Sequence, residues 1–414
     1  MIKAEELGFS SARLARIEPF LRKHYIESGA IPGALTMILR RGEIAHLGMA
    51  GVTDLERGTP VAADTIYRIF SMTKPIASLA LMMLVEEGLV ALDDPVAKFI
   101  PAWTSLGVFS GGAPGAFVTT PPSRAMAVVD LLRHTAGLTY GIMDRTVLDA
   151  AYRQMKIGDP LTPGGLKTMV EQLAALPLEF SPGEMWNYSL ATDVVGYLVE
   201  TISGQGLRDF VRARILEPLG MHDTDFFVPP EKRGRMARCY EAKAGKLALW
   251  DDGRGGAFSE PPPLISGGAG LCGTAGDYLA FCRMLLAGGV AANGTRLVGP
   301  KTLALMTMNH LPGNREMTDM MPATGLFSEA GYAGIGFGLG FAVNMNVAKT
   351  AIPGTVGEYF WGGAAATSFW VDPKEDMAVV FMTQVLSSPH RIRLRRDLRT
   401  LVYAAITESF ACAR

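Results

Sequence analysis

The sequence predicts an α+β fold: one antiparallel sheet built from both ends of the chain and flanked by helices, with a helical subdomain inserted between. Three observations carry this expectation. β-type runs, alternating or wholly apolar, lie at 34–50 and again at 335–384. Between about 125 and 240, apolar residues recur at helical spacing with almost no strand alternation. At 414 residues the chain exceeds what one core usually organises. The expected division is a discontinuous sheet domain of residues 1–75 and 255–414 and a mainly helical subdomain of 76–254. A cleft is expected at their junction, where binding sites tend to form.

In chain order, Ser10 or Ser11 caps a helix carrying Leu14, Ile17 and Leu21, kinked near Pro19 and stopped by Gly29. Ala34 to Arg41 and Glu43 to Ala50, joined at Gly42, read as a hairpin. The apolar run from Ile76 to Val85 reads as a helix closed at Gly88, and Leu92-Asp93-Asp94-Pro95 starts a short helix that ends before Pro101. Trp103 to Arg124 is rich in glycine, proline and serine and is expected to be a loop on the surface or at the rim of a site. Helical patterns follow at Val128 to Arg133, Leu166 to Ala175, Ala191 to Ser203 and Leu207 to Leu216, and Asp251 to Pro263 crosses back. Thr274 to Leu286 is helical, and His310 to Gly334 is an irregular loop able to lie over a pocket. Strands return at Ile335 to Met345, Tyr359 to Trp361, Thr367 to Val371 and Met377 to Gln384. A C-terminal helix closes the chain, with Leu394, Leu398, Leu401 and Phe410 facing the core and Arg391, Arg393, Arg395, Arg396 and Arg399 on a solvated face.

Charge is balanced, with 39 basic and 40 acidic side chains and no basic stripe, which argues against a nucleic-acid partner. Met1 to Glu6 lacks the apolar core of a secretory signal and no apolar run approaches spanning length, so a cytoplasmic protein without membrane attachment is expected. Cys239, Cys272, Cys282 and Cys412 show no close pairing, and no His/Cys cluster has zinc spacing, so the cysteines read as reduced and structural and no metal or other cofactor is called for.

The chemistry concentrates in Ser71-Met72-Thr73-Lys74 at a helix start. Residues three apart share a helix face, which sets the Lys74 amine beside the Ser71 hydroxyl and supplies the base a serine nucleophile lacks. Unpaired backbone N–H groups at the same helix start favour an oxyanion. Roughly one Ser-x-x-Lys arises by chance in a chain this long, and Pro75 sets Ser71 at the edge of the helix or just outside it. Two later segments raise its weight: Tyr188-Ser189-Leu190 before a helix, and Trp361-Gly362-Gly363-Ala364 at the edge of a late strand.

In this order the three segments resemble the motifs of the serine β-lactamase and penicillin-binding-protein superfamily, where Ser-x-x-Lys is followed by Tyr-x-Asn or Ser-x-Asn and then Lys-Thr-Gly. Leu92 to Val96, Leu131 to Leu138, Glu217 to Met221 and Gly267 to Leu271 are similar to stretches of class C-like members. Leu190 stands for the Asn of the second motif and Trp361 for the Lys of the third, and both departures look like the family VIII carboxylesterases. The resemblance implies a Ser71 nucleophile, Lys74 and Tyr188 as base and proton relay in an order left open, and an oxyanion hole from the Ser71 and Ala364 backbone N–H groups. It also implies substrate contacts from Leu190, Trp361, Gly362 and Gly363. An apolar Leu and an aromatic Trp suit an uncharged ester better than a carboxylate-bearing β-lactam.

The expected activity is therefore hydrolysis of small carboxylic esters through an acyl-enzyme. The alternatives are a β-lactamase, a D-amino-acid peptidase or amidase, an acyltransferase, and an inactive ligand-binding relative. A Ser-His-Asp hydrolase is disfavoured because no Gly-x-Ser-x-Gly occurs, and no histidine is assigned to the site. The oligomeric state is open.

Overall fold

The computed structural model of the chain describes residues 3–323, 325, 329 and 333–410. Part of the segment from His310 to Gly334, and Cys412, lie outside the described residues. Eight strands form one antiparallel sheet: β1 Gly33–Arg40, β2 Glu43–Asp54, β3 Thr59–Pro60, β4 Ile335–Phe337, β5 Ala342–Asn344, β6 Tyr359–Gly362, β7 Ser368–Asp372 and β8 Met377–Met382. Their spatial order is β4-β5-β6-β7-β8-β1-β2-β3. The first strand thus pairs with the last, Leu35 opposite Met382 through Arg40 opposite Met377. Every residue of β1 and β8 is buried, which is why these strands read as unbroken apolar runs instead of alternating.

Four longer helices surround the sheet and the site: α1 Thr73–Glu86, α2 Ala191–Ser203, α3 Ala275–Leu286 and α4 Arg391–Ala404. Helix α1 is buried continuously from Thr73 to Leu84, as expected of a helix that is apolar all round, and Gly88 ends it at φ +73°. Successive side chains of a strand point to opposite faces. On β7, Phe369 meets Tyr278 of α3 with ring centroids 4.9 Å apart, while Trp370 lies under the Arg399 guanidinium of α4 at 4.8 Å. Helices α3 and α4 therefore cover opposite faces of one sheet.

The structure departs from the sequence reading in four places. The N-terminal helix breaks at Ala15–Arg16, not at Pro19, which falls in the first turn of a second segment, Ile17–Leu21, where a missing N–H costs nothing. The stretch expected as a loop from Trp103 to Arg124 contains a hairpin, Val108–Ala113 with Ala116–Thr120. A second hairpin, Cys239–Lys243 with Lys246–Asp251, turns at Ala244 and Gly245, both at positive φ. These hairpins are largely exposed, so burial imposes little apolar alternation on them.

The fourth correction concerns α4. Arg393 and Arg396 are solvated, but Arg395 and Arg399, four residues apart, turn inward and are buried. They pair with the buried Glu329 and Glu358, each at 2.6 Å, which offsets the cost of dehydrating the guanidinium groups. Phe410 lies beyond the helix and packs under Arg40 and Arg41.

Both chain ends are tied to the sheet by Arg40, which is fully buried. Its guanidinium donates to Glu375 Oε2 at 2.6 Å and to the carbonyls of Leu7, Gly8 and Glu408. Removing one partner of such a pair strands a buried charge. Glu375→Ala is expected to lower stability by about 3–5 kcal/mol in urea unfolding, against less than about 1 kcal/mol for Glu408→Ala, whose exposed carboxylate pairs with the surface residue Arg41 at 3.3 Å.

Candidate active site

Ser71 sits in a tight turn, Phe70–Met72, that leads straight into α1, with Pro75 in the helix's first turn. Ser71 is thus just outside the α-helix proper. Phe70 adopts φ +44°, a conformation that costs a non-glycine residue about 1–3 kcal/mol and that the surroundings must hold. Its ring is packed by Trp250 and Phe258, at centroid distances of 6.1 and 6.0 Å. The strand residue Arg68 anchors the approach through a buried ion pair with Asp251 at 2.8 Å and hydrogen bonds to Gln384. From the other side, Tyr278 of α3 donates to the Met72 carbonyl at 3.0 Å.

Lys74 is 1% exposed. Its amine donates to three oxygens: Ser71 Oγ at 3.4 Å, Tyr140 Oη at 3.0 Å and the Gly268 carbonyl at 2.7 Å. Burial pulls its pKa down to about 8, although the Asp193 and Glu329 carboxylates act in the opposite sense. Tyr188 comes from the extended segment before α2. Its ring lies 4.6 Å from the Lys74 amine, and its hydroxyl is hydrogen-bonded to Ser71 and accepts the indole N–H of Trp361 at 3.3 Å. Burial, then the Glu329 charge, push the Tyr188 phenol far above its ordinary range, while the hydrogen bonds from Ser71 and Trp361 act the other way. Burial likewise pushes Tyr140 well up.

Trp361, on β6, is 1% exposed and packs edge-on against Phe337. Its N–H is directed at the Tyr188 oxygen. Gly362 and Gly363 continue into a turn braced by α4: Arg395 donates to the carbonyls of Gly363 at 3.0 Å and Thr367 at 2.6 Å. A Cβ on Gly362 would lie 2.4 Å from that guanidinium, and one on Gly363 only 2.5 Å from the Ile69 carbonyl. The absence of side chains is what lets this turn lie against both Arg395 and the Ser71 turn. Ala364 follows, half-buried, and its N–H has no acceptor among the described residues. Leu190 is buried at the start of α2 with its methyl groups against Gly158.

Ser71, Lys74, Tyr188, Trp361 and the Gly362–Ala364 turn are thus brought together, with Leu190 alongside at the head of α2. His134 packs behind Tyr188 at a centroid distance of 5.0 Å, its Nδ1 3.3 Å from Ser189 Oγ, and burial pulls its pKa well down, so it stays neutral. Three contributors were not singled out in the sequence: Tyr140, Gly268 and Arg395 as a brace. Tyr140 and Gly268 lie beside or within the 131–138 and 267–271 stretches, whose similarity to class C-like members was the available signal. Among the described residues no group of three or more His, Cys, Asp or Glu side chains is placed to hold a metal ion, and no helix is long and apolar enough to cross a membrane.

The brace can be tested without reference to activity. Arg395→Met is expected to cost about 3 kcal/mol in urea unfolding and to speed amide hydrogen exchange at Gly363 and Ala366, whose N–H groups close the turn on Thr367 and Gly363. Exchange at these two amides no faster in Arg395→Met than in the wild type would show that α4 does not hold the turn.

Residues 21–404 match the family model described as Beta-lactamase. Protein Rv1367c of Mycobacterium tuberculosis is 34% identical over 361 residues, covering 86% of this chain and 87% of that protein. Esterase EstB of Burkholderia gladioli is 32% identical over 388 residues, 90% of this chain and 91% of EstB. Among solved structures, EstCE1, described as a hydrolase with promiscuous acyltransferase activity, superposes with a TM-score of 0.78 at 27% identity, covering 95% of this chain and 99% of that one. With the fold, the motif order and these relatives in agreement, the chain belongs to the beta-lactamase family, has the β-lactamase/transpeptidase-like fold and counts esterases among its homologues.

Proposed function

We propose that the protein is a serine carboxylesterase that works through an acyl-enzyme on Ser71. The observation that carries this reading is the convergence of the Lys74 amine and the Tyr188 hydroxyl on the Ser71 hydroxyl. Ser71 Oγ attacks the ester carbonyl and its proton passes to Lys74. With a pKa of about 8, roughly one amine in ten is neutral at pH 7, enough to serve as a base. The Tyr188 phenol stays protonated and relays the proton to the departing alkoxide as the C–O bond breaks. The Ser71 and Ala364 N–H groups receive the oxyanion. Water, deprotonated by the same pair, then releases the acid and restores Ser71.

Substrate choice follows from what surrounds these groups. Trp361 and Leu190 present no cation or amide to a charged substrate, so a small uncharged ester is favoured over a β-lactam or a D-amino-acid peptide. On this reading the substrate enters between the sheet-bearing part, 1–75 with 255–414, and the mainly helical part, 76–254. Acyl transfer is a second reading: EstCE1 is described with that side activity, and an alcohol in place of water would yield a new ester.

Ser71→Ala is expected to lower hydrolysis of p-nitrophenyl esters by roughly 10⁴-fold or more. Assays with short, medium and long acyl chains beside a chromogenic cephalosporin test both parts of the proposal. Strong cephalosporin turnover would remove the substrate argument, and turnover surviving in Ser71→Ala would remove the nucleophile. Because the neutral amine is the active form, kcat/KM should rise with pH and reach half its plateau near pH 8. A profile flat from pH 6 to 9 would exclude Lys74 as the base.

A further inference from the structure

Asp193 is five residues after Tyr188, in the first turn of α2, and is 2% exposed. Its Oδ1 accepts the Ser266 hydroxyl at 2.5 Å and the Gly268 N–H at 3.1 Å. The carbonyl of the same Gly268 accepts the Lys74 amine at 2.7 Å. A Cβ on Gly268 would fall 2.4 Å from Asp193 Oδ2, so the carboxylate reaches this turn only because residue 268 has no side chain. One residue of backbone therefore links a buried carboxylate to the buried amine.

The charges around Lys74 give that link a further consequence. The groups facing the amine are the Ser71 hydroxyl and the Tyr140 and Tyr188 phenols, all neutral, with the neutral imidazole of His134 behind Tyr188. Two carboxylates act on it, Asp193 and Glu329. Glu329 is already matched by Arg395 at 2.6 Å and Arg391 at 3.5 Å. The hydrogen-bond donors to Asp193 among the described residues are the Ser266 hydroxyl and the backbone amides of Gly268 and of Asp193 itself, all neutral, which leaves Lys74 as its counter-charge.

We infer that Asp193 is a positioning residue for Lys74: it anchors the 266–268 turn whose carbonyl fixes the amine, and it supplies the negative charge that lets the buried amine hold a proton between proton transfers. The inference rests on the reading of Lys74 as the base. Asp193 does not touch the reacting atoms in this scheme and acts only through the amine. Removing its charge disfavours the ammonium form, so the neutral amine persists to lower pH.

Asp193→Asn keeps the Oδ1 acceptor and deletes the charge. Its kcat/KM profile for a neutral p-nitrophenyl ester is expected to move its acid limb down by about one pH unit, with KM changed less than about twofold. Lys74→Ala, measured alongside, separates the two claims. Turnover retained in Lys74→Ala would remove the base assignment itself. An inactive Lys74→Ala with an Asp193→Asn profile that superposes on wild type would leave the base in place and overturn the inference. A folded Asp193→Asn that is slower at every pH, with its acid limb unmoved, would make Asp193 merely structural and overturn it too. Should Asp193→Asn fail to fold, Gly268→Ala tests the link from the other side: its Cβ displaces the carboxylate, and kcat should drop by about tenfold or more with KM retained. Unchanged turnover in that variant would also overturn the inference.

Discussion

An amine removed from water must find acceptors where the water was, and Lys74 finds one beside it and two in distant parts of the chain. Ser71 is its neighbour by one helical turn, but Tyr140 is 66 residues away and Gly268 is 194. Holding those oxygens in place accounts for much of the surrounding architecture. The loop before α2 sets Tyr188 over the amine, α3 pins the start of α1 through Met72, and the 266–268 turn is anchored on α2. An amine with fewer acceptors would carry an uncompensated desolvation cost; one in open water would keep its ordinary high pKa.

A second layer is aromatic. Trp361, Tyr188, His134, Trp186 and Phe337 pack ring against ring, with centroid distances of 5.0 to 6.1 Å. This cluster buries the Tyr188 phenol and holds its hydroxyl toward Ser71, with the Trp361 indole N–H as a fixed partner. On the proposed reading, an indole in place of a third-motif cation changes the electrostatics of the site as well as its shape. A flexible charge that could reach a substrate carboxylate gives way to a donor already committed to the tyrosine. The same residue thereby links the proposed substrate preference to the proposed proton relay.

The C-terminal helix shows how a residue's role can invert between pattern and structure. Five arginines in nine residues read as a solvated face, yet two of them are buried, and one of these, Arg395, braces the site. The pattern was ambiguous because the acids that neutralise Arg395 and Arg399 lie 66 and 41 residues away, on segments with no local signal of their own. Exposed hairpins were missed for the converse reason, since strands with little burial carry little alternation. The wholly buried strands β1 and β8 were the most legible, because burial on both faces leaves only apolar residues there.

The sequence by itself determined what is local: the Ser71–Lys74 spacing, the helix that follows it, the hairpin at Gly42, and the order of the three motifs that placed the chain in its superfamily. It also determined that residues 190 and 361 are apolar or aromatic, which bounds the charge of any substrate they meet. The tertiary structure alone decided which groups surround Lys74, that Trp361 faces Tyr188, that Arg395 braces the Gly363 turn, and that Asp193 reaches the amine through Gly268. These depend on side chains brought together across tens to hundreds of residues. Helical spacing is written in neighbouring positions, whereas the field at a buried charge is set by whatever the whole fold packs around it.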